Sequence, residues 1–175
     1  YTTKKSALNN AKKIIQVTKC DAVKLEGGKE KSEIIKYLIK NKINVMGHVG
    51  LLPQKIKSKK DYKIKGRNLR ERKKLVDDIK HLEQAGVFSI VLEATSFDAA
   101  EDVLKHSKVP IIGIGASVNC DGQILVTEDL LGFFDKVPKF VKKYTNLKKQ
   151  IIKAIGNYAK DVRSKKFPTK QNIYN

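Results

Sequence analysis

The sequence predicts an α/β protein with a mostly parallel sheet, of the (β/α)-barrel type, on three observations. Short apolar runs alternate along the chain with segments of helical periodicity. Each run closes on a glycine or a polar residue, at Glu26-Gly27-Gly28, Gly47-His48, Glu93 and Gly113-Ile114-Gly115. Ionisable side chains therefore gather where successive strands end, which is where barrel enzymes keep their chemistry.

The elements follow in order. Residues 9–18 carry Ala11, Ile14, Ile15 and Val17 as a weak helical stripe. The run Val23-Lys24-Leu25-Glu26 reads as a strand, and its period of two puts Lys24 and Glu26 on one face and Val23 and Leu25 on the other. Ile34, Ile35, Leu38 and Ile39 mark a helix over 29–41 with Asn41 as its C-cap, before a strand at 44–47. Residues 50–66 form a lysine-rich loop with Pro53, longer than an ordinary βα connection. Leu69, Leu75, Ile79 and Leu82 predict a helix over 68–85 that Gly86 ends, and a strand follows at 87–92. Ser96 caps a helix running to His106, and Pro110 opens a strand at 111–114. A last short apolar run stands at 124–126, and a helical segment is expected over 139–163 before Phe167-Pro168-Thr169 ends regular structure.

This makes about five strands, whereas a closed barrel has eight and typically about 250 residues. The barrel reading treats residues 1–175 as the C-terminal part of one (β/α)8 domain, about the last five βα units, with the N-terminal strands absent from this chain. The start at Tyr1-Thr2-Thr3, without an initiator methionine, points the same way. A complete five-stranded doubly wound sheet is the competing reading, but no glycine-rich phosphate loop follows any strand.

At 41% hydrophobic and 31% charged, 175 residues have an ordinary globular composition. The formal charge of +19 raises nucleic-acid or anionic-membrane binding. Against it, the excess is nearly all lysine, scattered from Lys4 to Lys170, with Arg67, Arg70, Arg72 and Arg163 the only arginines and no tryptophan. Specific nucleic-acid readers lean on arginine forks and aromatic stacking, so no specific nucleic acid is expected. Cys20 and Cys120 form no CxxC, and no apolar run reaches the roughly 20 residues of a membrane span. The chain reads as cytoplasmic, without membrane attachment.

Five blocks together resemble ketopantoate hydroxymethyltransferases: Val23 to Gly28, Val45 to Gln54, Tyr62 to Arg67, Ile90 to Glu93, and Ile112 to Ala116 followed by Asp121-Gly122-Gln123. Order and spacing match, over roughly the last two thirds of the family's chain. The resemblance implies a (β/α)8 barrel that passes a hydroxymethyl group from 5,10-methylenetetrahydrofolate to 3-methyl-2-oxobutanoate, giving 2-dehydropantoate on the route to pantothenate and coenzyme A. It implies Mg2+ and a large homo-oligomer, commonly a decamer. Carried onto this sequence, it makes Glu93 the proton acceptor, Lys24 the oxo-acid contact and Glu26 the metal-site carboxylate. The chemistry suits these types, since an enolate needs a carboxylate base beside the substrate and a cation near the oxygen that gains charge. His48 is read as pocket lining. The sequence departs from the family at residues 55–61, which are lysine-rich, at Ser117, and in lacking the first three strands with two aspartate ligands and a substrate-binding serine. The alternatives are another Mg2+-dependent barrel enzyme acting on 2-oxo acids, or an inactive remnant kept as a basic binding or scaffold protein.

Overall fold

The computed structural model describes residues 2–58 and 61–174; Lys59 and Lys60 of the lysine-rich stretch lie outside the described residues, as do Tyr1 and Asn175. The chain divides into two compact units, Tyr1–Ile124 and Leu125–Asn175.

The first unit alternates helix and strand. Helix α1 (Lys4–Thr18) begins earlier than its apolar stripe suggests, because Thr3 and Ser6 form a capping box. Strand β1 (Val23–Glu26) leads through a 3-10 turn (Lys29–Lys31) into α2 (Ser32–Lys40), capped by Asn41 as expected. Strand β2 (Val45–Gly50) runs three residues past the expected end at Gly47, since His48, Val49 and Gly50 pair with Val91, Leu92 and Glu93. Helix α3 (Leu69–Ala85) starts where the Asn68 side chain accepts from the Glu71 N–H and stops at Gly86, whose φ of 97° lies in the left-handed region. Strand β3 (Ser89–Glu93), helix α4 (Phe97–His106), whose N-cap is Ser96, and strand β4 (Ile111–Ile114) follow. The last strand, β5 (Gly122–Gln123), precedes the apolar run 124–126 instead of coinciding with it. Ile124 still donates its N–H to Gly113, but its side chain and that of Val126 are exposed and take no part in the core.

The strands lie in the order β1-β2-β3-β4-β5, all parallel. Chain order without reversal, with crossovers of one hand, puts the connecting helices α2, α3 and α4 on one face. The buried side chains agree: Leu25, Val45, Val49, Ile90, Leu92 and Ile111 on one face of the sheet form a single core with residues from α1, α2, α3 and α4. A doubly wound sheet would reverse its strand order and cover both faces. This sheet is singly wound, as in a (β/α) barrel, and its other face carries Lys24, Glu26, Met46, His48, Val91 and Glu93.

The second unit holds a short helix α5 (Thr127–Leu130) and the long helix α6 (Leu147–Arg163). Helix α6 begins eight residues later than the expected 139, at the point where the Asn146 side chain accepts from the Lys149 N–H at 3.0 Å. Its apolar residues Ile151, Ile152, Ile155 and Tyr158 are exposed.

Candidate active site

The register decides which side chains can meet. Glu26 pairs with His48, and His48 with Val91, so Glu26 and His48 are neighbours on one face. Glu93 stands two residues beyond Val91 on that same face, a diagonal neighbour of His48 within reach of a long side chain. Three ionisable groups from three adjacent strands thus converge at the carboxyl end of the sheet.

The imidazole is fully buried and lies between the two carboxylates. His48 Nε2 is 3.1 Å from Glu93 Oε2, and Nδ1 is 3.9 Å from Glu26 Oε1. The first distance is in hydrogen-bonding range without hydrogen-bond alignment, and the second is too long for a direct bond, so neither ring nitrogen is satisfied as placed. Buried polar atoms without partners are rare, and two of the three among the described residues lie on this one ring, facing acids, the third being Thr95 Oγ1.

A short strap ties the Glu93 backbone to the Glu26 carboxylate. After β2, Leu51 donates its N–H to the Glu93 carbonyl at 2.9 Å, and Gln54 donates its N–H to Glu26 Oε2 at 3.0 Å. Gly50 makes the turn possible: its φ is +93°, and a Cβ there would stand 2.2 Å from the Glu93 carbonyl oxygen. Below Glu93, Ala94 adopts a φ of 48°, donates its N–H to Ile114 and accepts from the N–H of Lys65. A non-glycine residue there is backbone strain held by its neighbours.

The connection after Glu26 is fixed from α3. Asp78, 6% exposed, accepts the Lys29 N–H at 3.0 Å and pairs with Lys74 at 2.5 Å. Gly28 passes so close that a Cβ would fall 2.2 Å from the Asp78 carboxyl. A 470 Å3 cleft lined by Gly28, Gly50, Leu52, Lys55, Lys65 and Asp78, among others, opens between these loops.

The structure therefore brings Glu26 and Glu93 together around His48. Lys24 shares their face but is exposed, and Glu26 turns to His48 and Gln54 instead of pairing with it. Sequence reasoning gave His48 too small a place; its signal was the strand-end position level with Glu26. A metal is another matter. Glu26 offers a hard oxygen of the kind Mg2+ takes, yet among the described residues no group of three potential ligands could hold a metal ion. The described residues do not by themselves fit Mg2+.

A singly wound parallel sheet with its acids and imidazole collected at the carboxyl ends belongs to the (β/α)-barrel enzyme class. Residues 1–170 match the model of one family, ketopantoate hydroxymethyltransferase. The 3-methyl-2-oxobutanoate hydroxymethyltransferase of Pelagibacter ubique is 56% identical over 99% of this chain and 66% of its own length. The enzyme of the same name from a Nitratiruptor species is 49% identical over 99% of this chain, again 66% of its own length. This chain belongs to the ketopantoate hydroxymethyltransferase family, and it spans 66% of the length of these relatives. A solved dihydrodipicolinate synthase from Acinetobacter baumannii aligns with 73% of this chain and 51% of its own at 12% identity and a TM-score of 0.48, too distant to carry any argument.

Proposed function

We propose that the complete protein transfers a hydroxymethyl group from 5,10-methylenetetrahydrofolate to 3-methyl-2-oxobutanoate, forming 2-dehydropantoate for pantothenate and coenzyme A synthesis. The observation that carries this reading is the pair Glu26 and Glu93 gathered at one buried imidazole, at the strand ends where the resemblance places the chemistry. Glu93 takes the proton from C3 of the oxo acid. Water releases the one-carbon unit from the folate at the oxidation level of formaldehyde, leaving tetrahydrofolate; the carbanion adds to that carbon, and the alkoxide formed takes up a proton to give the hydroxymethyl group.

Lys24 offers its ammonium to the substrate carboxylate as a point charge, and its exposure on the sheet face that bears the acids supports that role. Glu26 contributes one carboxylate to a Mg2+ site whose other ligands come from outside this chain. A homo-oligomer belongs to the same reading, with the exposed apolar residues of α6 as a surface for it. The protein works on small molecules without specific nucleic acid and in the cytoplasm; among the described residues no helix is long and apolar enough to cross a membrane.

The test is Glu93→Gln in a chain extended to the length of its relatives. The amide keeps shape and loses basicity, so exchange of the C3 proton with deuterated water should stop while 3-methyl-2-oxobutanoate still binds. Exchange at the wild-type rate would remove Glu93 from the role of base.

A further inference from the structure

We propose that His48 is the positioning residue of Glu93: its Nε2–H holds one carboxylate oxygen so that the other faces the carbon being deprotonated. The inference rests on the reading of Glu93 as base and adds a residue to it.

The ring is 0% exposed, so bulk solvent does not reach it. A core histidine ordinarily settles its nitrogens on a backbone carbonyl, a hydroxyl or an amide. Here neither nitrogen has such a partner, and the acids they face are Glu93 and Glu26. Leaving both nitrogens bare would incur a desolvation penalty with nothing to offset it. The carboxylates are the available partners, and the distances divide the roles. Nε2 at 3.1 Å needs only a small rotation of the Glu93 carboxylate to bond it, whereas Nδ1 at 3.9 Å stays out of direct reach of Glu26. The proton therefore belongs on Nε2.

Glutamate needs such a partner. Its long side chain has several rotamers, and a base misplaced by about 1 Å can lose about 100-fold in rate. Glu26 is already held by the Gln54 N–H, and the Glu93 backbone by Leu51, but His48 is the side chain placed to fix the Glu93 carboxylate. Register supplies the geometry: a residue on β2, two positions behind Glu93, reaches forward to it across the diagonal.

The experiment uses the chain extended to the length of its relatives, with C3 deuterium exchange, 3-methyl-2-oxobutanoate affinity and thermal midpoint read for each variant. His48→Leu should slow exchange about 100-fold while oxo-acid affinity changes by less than about threefold. His48→Gln carries an amide donor near the Nε2 position and should recover about tenfold over His48→Leu; His48→Asn places its amide near Nδ1 and should not. If His48→Leu does not fold, the Gln and Asn variants decide between them: Gln faster than Asn supports the proposal, and equal rates overturn it. Wild-type exchange in His48→Leu overturns it too. Glu93→Gln run alongside separates the two claims. Loss of exchange there with none in the His48 variants removes this inference alone, and retained exchange there removes the base assignment and this inference with it.

Discussion

Replacing Gly50 by alanine tests how tightly the end of β3 is held. The new Cβ would lie 2.2 Å from the Glu93 carbonyl oxygen and 3.1 Å from its nitrogen and carbonyl carbon, where ordinary contact begins at 3.4 Å. No side-chain rotation relieves this, because the Cβ is fixed by its own backbone and the atoms it meets are the Glu93 backbone. Relief requires the two chains to part by about 1 Å, which would stretch the Leu51 N–H bond to Glu93 and shift the carboxylate that follows it. The positive φ adds its own penalty for alanine, so about 2–4 kcal/mol of stability should go, lowering the thermal midpoint by about 5–15 °C. C3 exchange should fall about 100-fold at temperatures where the protein remains folded. Gly156 is the control: it lies within α6, and a Cβ there meets nothing within 4 Å. Gly156→Ala should leave exchange alone and raise stability by about 0.5–1 kcal/mol. If Gly50→Ala matched wild type in both midpoint and exchange, the close approach would not exist as described and the strap argument would fall.

Other outcomes follow from single contacts. Asp78→Ala removes the acceptor of the Lys29 N–H and should lower stability by about 1–3 kcal/mol, with faster hydrogen exchange at that amide as the specific sign. The Arg72 guanidinium beside Asp102 holds its carboxyl below the usual range. A depressed folded-state value gives stability that is present above the unfolded value of about 4 and lost as pH falls through the folded value. Arg72→Gln should therefore be less stable than wild type in urea at pH 7, and the gap should narrow as pH falls below the unfolded value. Binding to duplex DNA should be weak, blind to sequence and absent at physiological salt, since scattered lysines make only diffuse phosphate contacts; tight, sequence-selective binding measured there would restore the nucleic-acid reading.

Much of the first unit is legible in the sequence alone, for identifiable reasons. Parity places Lys24 and Glu26 on one face, and Asn41, Gly86 and Ser96 mark helix ends through local backbone chemistry that needs no tertiary context. The differences arise where long-range partners decide. His48 to Gly50 are strand because β3 is there to pair with them, and nothing within Gly47 to Gly50 announces it. The apolar period over 139–163 is continuous, yet the Asn146 cap breaks it, a local signal that the longer hydrophobic stripe conceals. The contact of His48 with both acids depends on register, which a sequence constrains only through face alternation.

The strap from Leu51 to Gln54 joins β1 to β3 across the intervening strand, fastening the backbone of one acid and the side chain of the other to the same four residues. The Glu26 carboxylate and the backbone that carries Glu93 are therefore not independent parts. A change in that loop moves both, so variation there should be read as all-or-nothing for the site. Beyond Gln54 the hold continues for one residue: Lys55 donates its N–H back to Leu52 and its ammonium pairs with Glu30.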